Sequence, residues 1–378
     1  MPLFVCIAAL VTAATFGSRP TVSLYAIEIG MSPAEIGVLV ALFSLFPLFL
    51  TVPAGNFMDR HGTRQVLYLS LVITAIGLTL PWMISGRFML YASQMLVGCG
   101  LTFHMLAAQK TAGDHPDPMV RERRIAVFSQ GAALGSFAGP FYTGFVGQHL
   151  GFDWAMLLVA PLLLIGLLVM PFVRTSAPNP AVAQAPRQRM SATRVLGYHP
   201  YMARAFLISS LVLLGKDFYV AYFPVFADVR GISPAWIGII IGIHNGGGVI
   251  MRVFQIPLVR RFGKSPTIIG SILISGIFFV FLPFTEGLVA LTLISLAMGL
   301  GLGLGQPLSI STTVNLSPPD KTGEVLGVRL TANRLTQFVM PIGFAAIVTV
   351  SGITGAFVFV GLAMSLGSLR LNIPDPKA

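Results

Sequence analysis

The chain divides into long apolar runs, each about the length of a bilayer-crossing helix, with its charges set in the short gaps between them. That alternation constrains the fold more than any single motif. A helix needs roughly 20 apolar residues to cross the hydrocarbon core, and only helices and closed barrels satisfy their backbone polar groups inside lipid. Twelve runs can be read, at about 3–29, 34–57, 65–84, 87–112, 122–148, 153–173, 201–228, 235–258, 265–284, 288–314, 324–350 and 354–370. With 55% hydrophobic and 10% charged residues and a mean hydropathy of +0.83, the chain is far from a soluble domain, which carries about 25% charged residues. The expected fold is an all-α integral membrane protein with twelve transmembrane helices.

The net charge of +11 invites a nucleic-acid reading, but its distribution argues for topology. The gaps after spans 2, 4, 6, 8 and 10 hold Arg60, Arg64, Arg121, Arg123, Arg124, Arg187, Arg189, Arg194, Arg260, Arg261, Lys264 and Lys321. The opposite gaps hold little beyond Arg87 and Arg230. Cytoplasmic loops carry the excess of Lys and Arg, so both termini are expected in the cytoplasm. Short loops suit a multi-pass protein of a bacterial-type inner (plasma) membrane. The first run lacks a basic leader, so no cleavable signal peptide is expected, and Met1 stands close enough to that run to suggest a slightly truncated start. Cys6 and Cys99 both sit in apolar runs and no disulfide is expected. The six His show no metal-ligand spacing, so neither a metal nor a cofactor is expected.

Self-similarity at long range comes next. GMSPAEIG at 30–37 returns as GISPAWIG at 231–238, an offset of 201. Without any gap the same offset pairs Gly62 with Gly263, Gly98 with Gly299, Gly100 with Gly301, Val127 with Val328 and Pro140 with Pro341. One register across so many runs indicates duplication. The longest polar connection, rich in Pro, Ala, Gln and Arg, separates the copies. The expected organisation is a six-helix half at 1–174, a cytoplasmic linker at 175–200 and a second half at 201–378. Parallel repeats of this kind bind substrate near the midplane, at the repeat interface.

The gap after span 2 reads GNFMDRHGTR, residues 55–64. Its Gly55, Asp59, Arg60, Gly62 and Arg64 resemble the loop 2–3 signature of the major facilitator superfamily. Glycine permits close helix approach at Gly55 and a tight turn at Gly62. The resemblance implies secondary transport by alternating access, with this turn as part of a gate. Asp59 lies on the same membrane face as the start of span 11, where a helix N-terminus carries about half a positive charge, with Arg329 one or two turns in. Such a latch would close the cytoplasmic side. In the second copy Arg260 takes the acid's place, and Glu122 at the start of span 5 is its expected partner.

Span 5 carries Gly131, Gly135, Gly139, Pro140 and Gly144. Glycines four apart make a smooth face for a neighbouring backbone, and Pro140 is expected to bend the helix. This pattern resembles the span 5 motif of facilitator-superfamily antiporters that export drugs and metabolites. One departure is Gln94 in span 4, where drug exporters of the superfamily usually carry Arg. GLGLGLG at 299–305 lies inside a span, so helix packing explains it and a dinucleotide loop does not.

Ionisable groups inside a span are costly and tend to face a cavity. Asp217 is the one acid read well inside a span, beside Lys216, and Arg19, Arg252 and Arg334 are read as similarly deep cations. Two readings stand side by side. Asp217 pairs with Arg19 as part of the structure or gate, or the surplus of buried cations binds an anionic or zwitterionic substrate, to which Arg presents a planar fork. Asp217 is also the candidate proton carrier, with His104 and His244 as alternatives. Tyr219, Tyr222, His244 and Asn245 complete the expected substrate site. Together these point to proton-coupled export of a small organic metabolite or drug, with proton-coupled uptake of a small organic anion as the alternative. The expected partners are the small-molecule substrate, protons and the lipid bilayer, without nucleic acid, for a protein that acts as a monomer. Neither an activated nucleophile nor paired carboxylates suggest an enzyme.

Overall fold

Helix starts and stops follow the local chemistry of the gaps. The computed structural model describes residues 2–114, 117–173, 175, 192–318 and 321–373; the side chains at 52, 56, 59, 118, 121, 122, 126, 322 and 323 are not among them. In chain order the helices are α1 (Pro2–Glu28), α2 (Pro33–His61), α3 (Thr63–Met83), α4 (Arg87–Gly113), α5 (Pro118–Leu150) and α6 (Phe152–Val169). They continue as α7 (Ala192–Gly197), α8 (Met202–Val229), α9 (Pro234–Val253), α10 (Gln255–Phe262), α11 (Lys264–Phe281), α12 (Leu288–Asn315) and α13 (Thr322–Leu369). Short 3₁₀ turns, Met170–Phe172 and Leu282–Phe284, extend α6 and α11. No strand occurs among the described residues, where ten helices are long and apolar enough to cross a membrane. The 33-residue α5 is not among those ten. The 48-residue α13 loses helical geometry at Gly352 (φ 70°, ψ 175°) and is two helices joined there.

The duplication read in the sequence is built into the backbone. Among the described residues every positive-φ position is a glycine, and these glycines fall into four pairs 201 apart: Gly30 and Gly231, Gly62 and Gly263, Gly86 and Gly287, Gly151 and Gly352. Gly62 (φ 86°, ψ 166°) and Gly263 (φ 85°, ψ 162°) share a conformation that essentially only glycine adopts. Each ends one helix and begins the next without a loop. Helix crossings repeat as well. A Cβ at Gly98 would land on the Phe43 carbonyl, and one at Gly299 on the carbonyl of His244, the mate of Phe43. Gly100 lies against Ser70 and Thr74, and Gly301 against their mates Ser271 and Ser275. In both copies the second hydroxyl donates to the first residue's carbonyl, at 2.7 Å for Thr74 to Ser70 and 2.9 Å for Ser275 to Ser271.

The chain forms two compact units, Met1–Arg187 with Phe223–Gly242, and Gln188–Tyr222 with Ile243–Ala378. Within the first, α5 lies flush on α1. Gly131 meets the Val5 carbonyl, Gly135 the Ala9 carbonyl and Gly139 the Ala13 carbonyl, so a side chain at any of the three would strike backbone. The Thr143 hydroxyl closes the seam by donating to the Gly17 carbonyl at 2.8 Å. Gly144 meets Gly238 near the start of α9, which belongs to the same unit. The helix assignment of α5 runs unbroken through Pro140. In the second unit Phe218 sits at the centre of an aromatic cluster, with ring centroids 4.8 Å from both Phe344 and Phe357.

The end of the central connection is ordered. Arg194 on α7 pairs with Glu324 at 2.7 Å, and the Tyr198 hydroxyl donates to the other Glu324 oxygen at 3.0 Å. Val195 packs with Met202, Phe206, Val325 and Val328 beneath them. Arg194 is therefore a tether as well as a topology charge, and its hydrogen bond to Glu324 raises its pKa further. Arg187 and Arg189 lie outside the described residues. Cys6 and Cys99 are free thiols, exposed and buried respectively.

Two expectations need correction. A Cβ at Gly55 would meet nothing within 4 Å among the described residues, so the close helix approach expected there is not made by them. The eighth span is not one continuous helix: α9 ends at Val253, with Phe254 between it and α10. The cause is Pro257, whose missing N–H and ring bulk leave the Val253 carbonyl without its i+4 partner.

The crossing geometry makes a mutational prediction. Gly100→Ala and its mate Gly301→Ala should each destabilise the protein by about 1–3 kcal/mol through overpacking. Gly55→Ala should leave stability unchanged or slightly raised. Thermal unfolding of the three variants in one detergent measures this; equal midpoints for all three would remove the basis for matched crossings.

Candidate substrate site

The polar interior of the second unit is assembled from α8, α9, α12 and α13. Asp217 sits on α8, 6% exposed, between apolar turns. Its Oδ2 accepts a hydrogen bond from Gln337 Nε2 on α13 at 2.9 Å. One turn earlier on α13, Arg334 Nη1 donates to Gln337 Oε1 at 3.0 Å. The orientation of the amide is dictated by its neighbours. A guanidinium only donates and a carboxylate only accepts, so the amide oxygen must face Arg334 and its nitrogen Asp217. Leu213, Leu214, Thr336, Met340, Pro341 and Phe344 border a narrow recess beside this chain of contacts.

A second cluster lies two residues further along α8. The Tyr219 hydroxyl donates to Ser295 Oγ on α12 at 2.7 Å, and its ring stacks on His244 of α9 with centroids 4.1 Å apart. His244 Nδ1 lies 3.0 Å from the Ser295 carbonyl, which fixes the proton on that nitrogen. Tyr219 and Tyr222 are fully buried, and Tyr222 stacks on Phe218 at 5.0 Å. Of the pair expected to touch substrate, Tyr219 thus has its hydroxyl engaged by Ser295.

The third cluster was not foreseen in this form. Arg329, expected at the gate, is only 4% exposed and turned into its own unit. Its Nη2 donates to Ser209 Oγ at 3.0 Å and Gln306 Oε1 at 2.9 Å, and its Nε to Ser309 Oγ at 3.3 Å. Ser209 in turn donates to Asn333 Oδ1 at 2.7 Å. These hydrogen bonds all end on neutral oxygens, which spread the charge over several dipoles. Arg252, by contrast, has an exposed side chain one residue before the end of α9. The buried cation of the set is Arg329, while Lys216 and Arg334 are half-buried.

In the first unit Arg19 is half-buried with its guanidinium 4.9 Å from the centre of the Phe43 ring, a cation–π contact. Gln94 and His104 are buried, and Gln94 Nε2 and both His104 ring nitrogens lack a hydrogen-bond partner among the described residues. Arg64 donates to the Pro171 carbonyl at 3.2 Å, tying the turn after α2 to the end of α6, while Arg60 and Arg260 are exposed. The side chains of Asp59 and Glu122 lie outside the described residues, as does that of Arg121. Asn245 is half-buried on α9. Sequence reasoning missed Gln337, Ser209, Gln306 and Ser295. Each is neutral, and its only available signal was a polar residue standing inside an apolar run.

Among the described residues, ten helices long and apolar enough to cross a membrane, with Asp217 and Arg329 buried between them, fit an integral membrane protein. The chain belongs to the Major Facilitator Superfamily, whose family model matches residues 4–341 and 257–377. It is 24% identical to Multidrug resistance protein 2 of Bacillus subtilis (strain 168) over 348 residues, 89% of this chain and 85% of that one. It is 25% identical to Multidrug resistance protein 1 of the same organism over 241 residues, 63% of this chain and about 60% of that relative's length. The solved structure of a peptide transporter POT in complex with sulfate superposes with a TM-score of 0.78 at 17% identity, covering 98% of this chain and 92% of that one. That likeness establishes the fold. The protein is a membrane transporter of this superfamily, handling small molecules, and its relatives and structural neighbours are transporters, not enzymes.

The Arg329 cluster gives a direct test. Ser209→Ala and Gln306→Leu each remove a partner of a buried charge and should lower stability by about 1–3 kcal/mol. Arg60→Gln, on the surface, should stay within about 0.5 kcal/mol of the parent. Detergent thermal unfolding distinguishes them, and a larger loss for Arg60→Gln would contradict the assignment.

Proposed function

We propose that the protein is a proton-coupled exporter of a small organic metabolite or drug, working by alternating access. The observation that carries this reading is the similarity to Multidrug resistance protein 2 along 89% of the chain. The glycine seam between α1 and α5 supports it, since it places the antiporter-like motif in a tight helix contact. Counting α5 as a span and α13 as two brings the ten apolar helices to twelve, six in each half. The cation-rich gaps favour cytoplasmic termini in an inner membrane. The protein acts as a monomer, with Asp217, Arg334, Lys216, Tyr219, Tyr222, His244, Asn245 and Arg19 as its substrate-binding residues.

Asp217 carries the proton in this scheme. Alternating access then needs a gate, which we assign to the turn at 55–64, with Asp59, Arg60, Arg260 and Glu122 as the charged residues to test. A second reading, proton-coupled uptake of an organic anion, draws support from Arg329, a buried cation whose hydrogen-bond partners among the described residues are the neutral Ser209, Gln306 and Ser309.

Purified protein in proteoliposomes tests the proposal. An imposed pH gradient should drive accumulation of a lipophilic dye or drug against its own gradient. Asp217→Asn should abolish that drive. Asp59→Asn should slow transport and alter cysteine accessibility on the cytoplasmic side. Gradient-driven movement at the parental rate in Asp217→Asn would rule out the assigned proton site.

A further inference from the structure

The two copies make the same helix contact in opposite ways. In the first unit α1 and α5 meet backbone to backbone. Gly131 lies on the Val5 carbonyl, Gly135 on that of Ala9 and Gly139 on that of Ala13, and Thr143 closes the row by donating to the Gly17 carbonyl at 2.8 Å. The 201-residue offset carries these four rungs onto α8 and α13 of the second unit, where all eight positions hold a larger residue. Ala332, mate of Gly131, packs against the cluster that contains Phe206, mate of Val5. Thr336 Oγ1 donates to Ser210 Oγ at 3.2 Å, in place of Gly135 on Ala9. Met340 and Leu214 stand in for Gly139 and Ala13. The rings of Phe344 and Phe218, edge-on with centroids 4.8 Å apart, replace the bond from Thr143 to Gly17.

This difference has mechanical consequences. Where backbone touches backbone, no side chain can turn aside, so a shift along the seam must first part the helices. Side chains standing between two backbones can change rotamer as the helices move, and helices packed in that way slide past one another in small shear steps. Met340, unbranched and flexible, suits such a contact. The polar groups of the seam need not be stranded by a slide. Ser209 Oγ accepts from Arg329 at 3.0 Å and has two oxygens within reach of its own proton, Asn333 Oδ1 at 2.7 Å and Gln306 Oε1 at 3.2 Å. The first-copy mates of Ser209 and Asn333 are Ala8 and Ala132, which have no side-chain hydrogen bond to exchange.

We propose that α8 and α13 form a sliding joint inside the second unit, and that α1 and α5 form its fixed counterpart inside the first. Asp217 on α8 and Gln337 on α13 face each other across the joint, so a slide changes what the acid meets. The joint is a property of the packing and holds for export and uptake alike.

Hydrogen–deuterium exchange of the purified full-length protein in detergent tests it, read by mass spectrometry and corrected for intrinsic rates. Peptides over 206–218 and 332–344 are compared with their mates over 5–17 and 131–143. The second-copy amides should exchange at least about tenfold faster, the mark of a lower local opening free energy. A cross-link supplies the second arm. With Cys6→Ser and Cys99→Ala removing the native thiols, Ser210→Cys and Thr336→Cys are oxidised to a disulfide across the seam. That bond should slow exchange in α8 and α13 toward the first-copy level and leave α1 and α5 unchanged, and reduction should restore the original rates. Equal protection of the two seams in the parent overturns the proposal, and this comparison decides it even where the double-cysteine variant does not fold or cross-link. A formed cross-link that leaves exchange in α8 and α13 unchanged overturns it too. In proteoliposomes the disulfide should stop dye transport until reductant is added; transport at the parental rate through a cross-linked seam would contradict a joint that moves in the cycle. A protein that transports no dye at all would defeat the export reading, while the exchange comparison still decides the joint.

Discussion

A charge inside a bilayer must be answered by a partner from the protein, because the lipid offers none. Insertion of a single Asp, Lys or Arg at the centre of a spanning helix costs roughly 2.5–3.5 kcal/mol, and an ion that loses its partner in the interior costs more. In the second unit neutral groups contribute to this. Gln337 stands between Arg334 and Asp217. Ser209, Gln306 and Ser309 surround Arg329.

These clusters depend on helices packed closely enough for short side chains to meet. That closeness comes from glycine. Gly98 and Gly100 in the first copy, and Gly299 and Gly301 in the second, bring backbones together at matched crossings. Without water to drive association inside lipid, small residues and shared hydrogen bonds supply much of the contact. The duplication thus specifies a common scaffold, and the two copies then diverge in what they hang on it. His244 in the second copy replaces Phe43 of the first, and Ser295 replaces Gln94. The same crossing that supports an Arg19–Phe43 contact in one half supports the Tyr219–His244–Ser295 cluster in the other.

Much of the fold was legible in the sequence because it is periodic. Apolar runs of bilayer length, the 201-residue offset and the glycines of α5 all repeat, and each reappears in the structure. The break at Phe254 was legible in principle from Pro257, but a continuous apolar run obscured it. Gly55 shows the opposite case: a glycine in a motif suggests close contact, yet no neighbour among the described residues comes within 4 Å of a Cβ placed there. The site was legible only in its charges. Asp217 and Arg334 stand out against apolar neighbours, whereas Gln337 matters because a residue 120 positions away lies across from it. Such a pairing has no local signature. Arg329 was picked out for its place near a helix start, but its burial among hydroxyls from α8 and α12 is a property of the packed unit.

The central claim is that Asp217 and Arg334 are energetically joined through Gln337. A double-mutant cycle tests it most directly, using thermal unfolding of Asp217→Asn, Arg334→Gln and the double variant in one detergent, repeated in the Gln337→Ala background. The account predicts an interaction energy of at least about 0.5 kcal/mol in the parent, within the range for residues sharing a network, and a clear fall once Gln337 is removed. Additive effects in the parent, or a coupling untouched by Gln337→Ala, would contradict it.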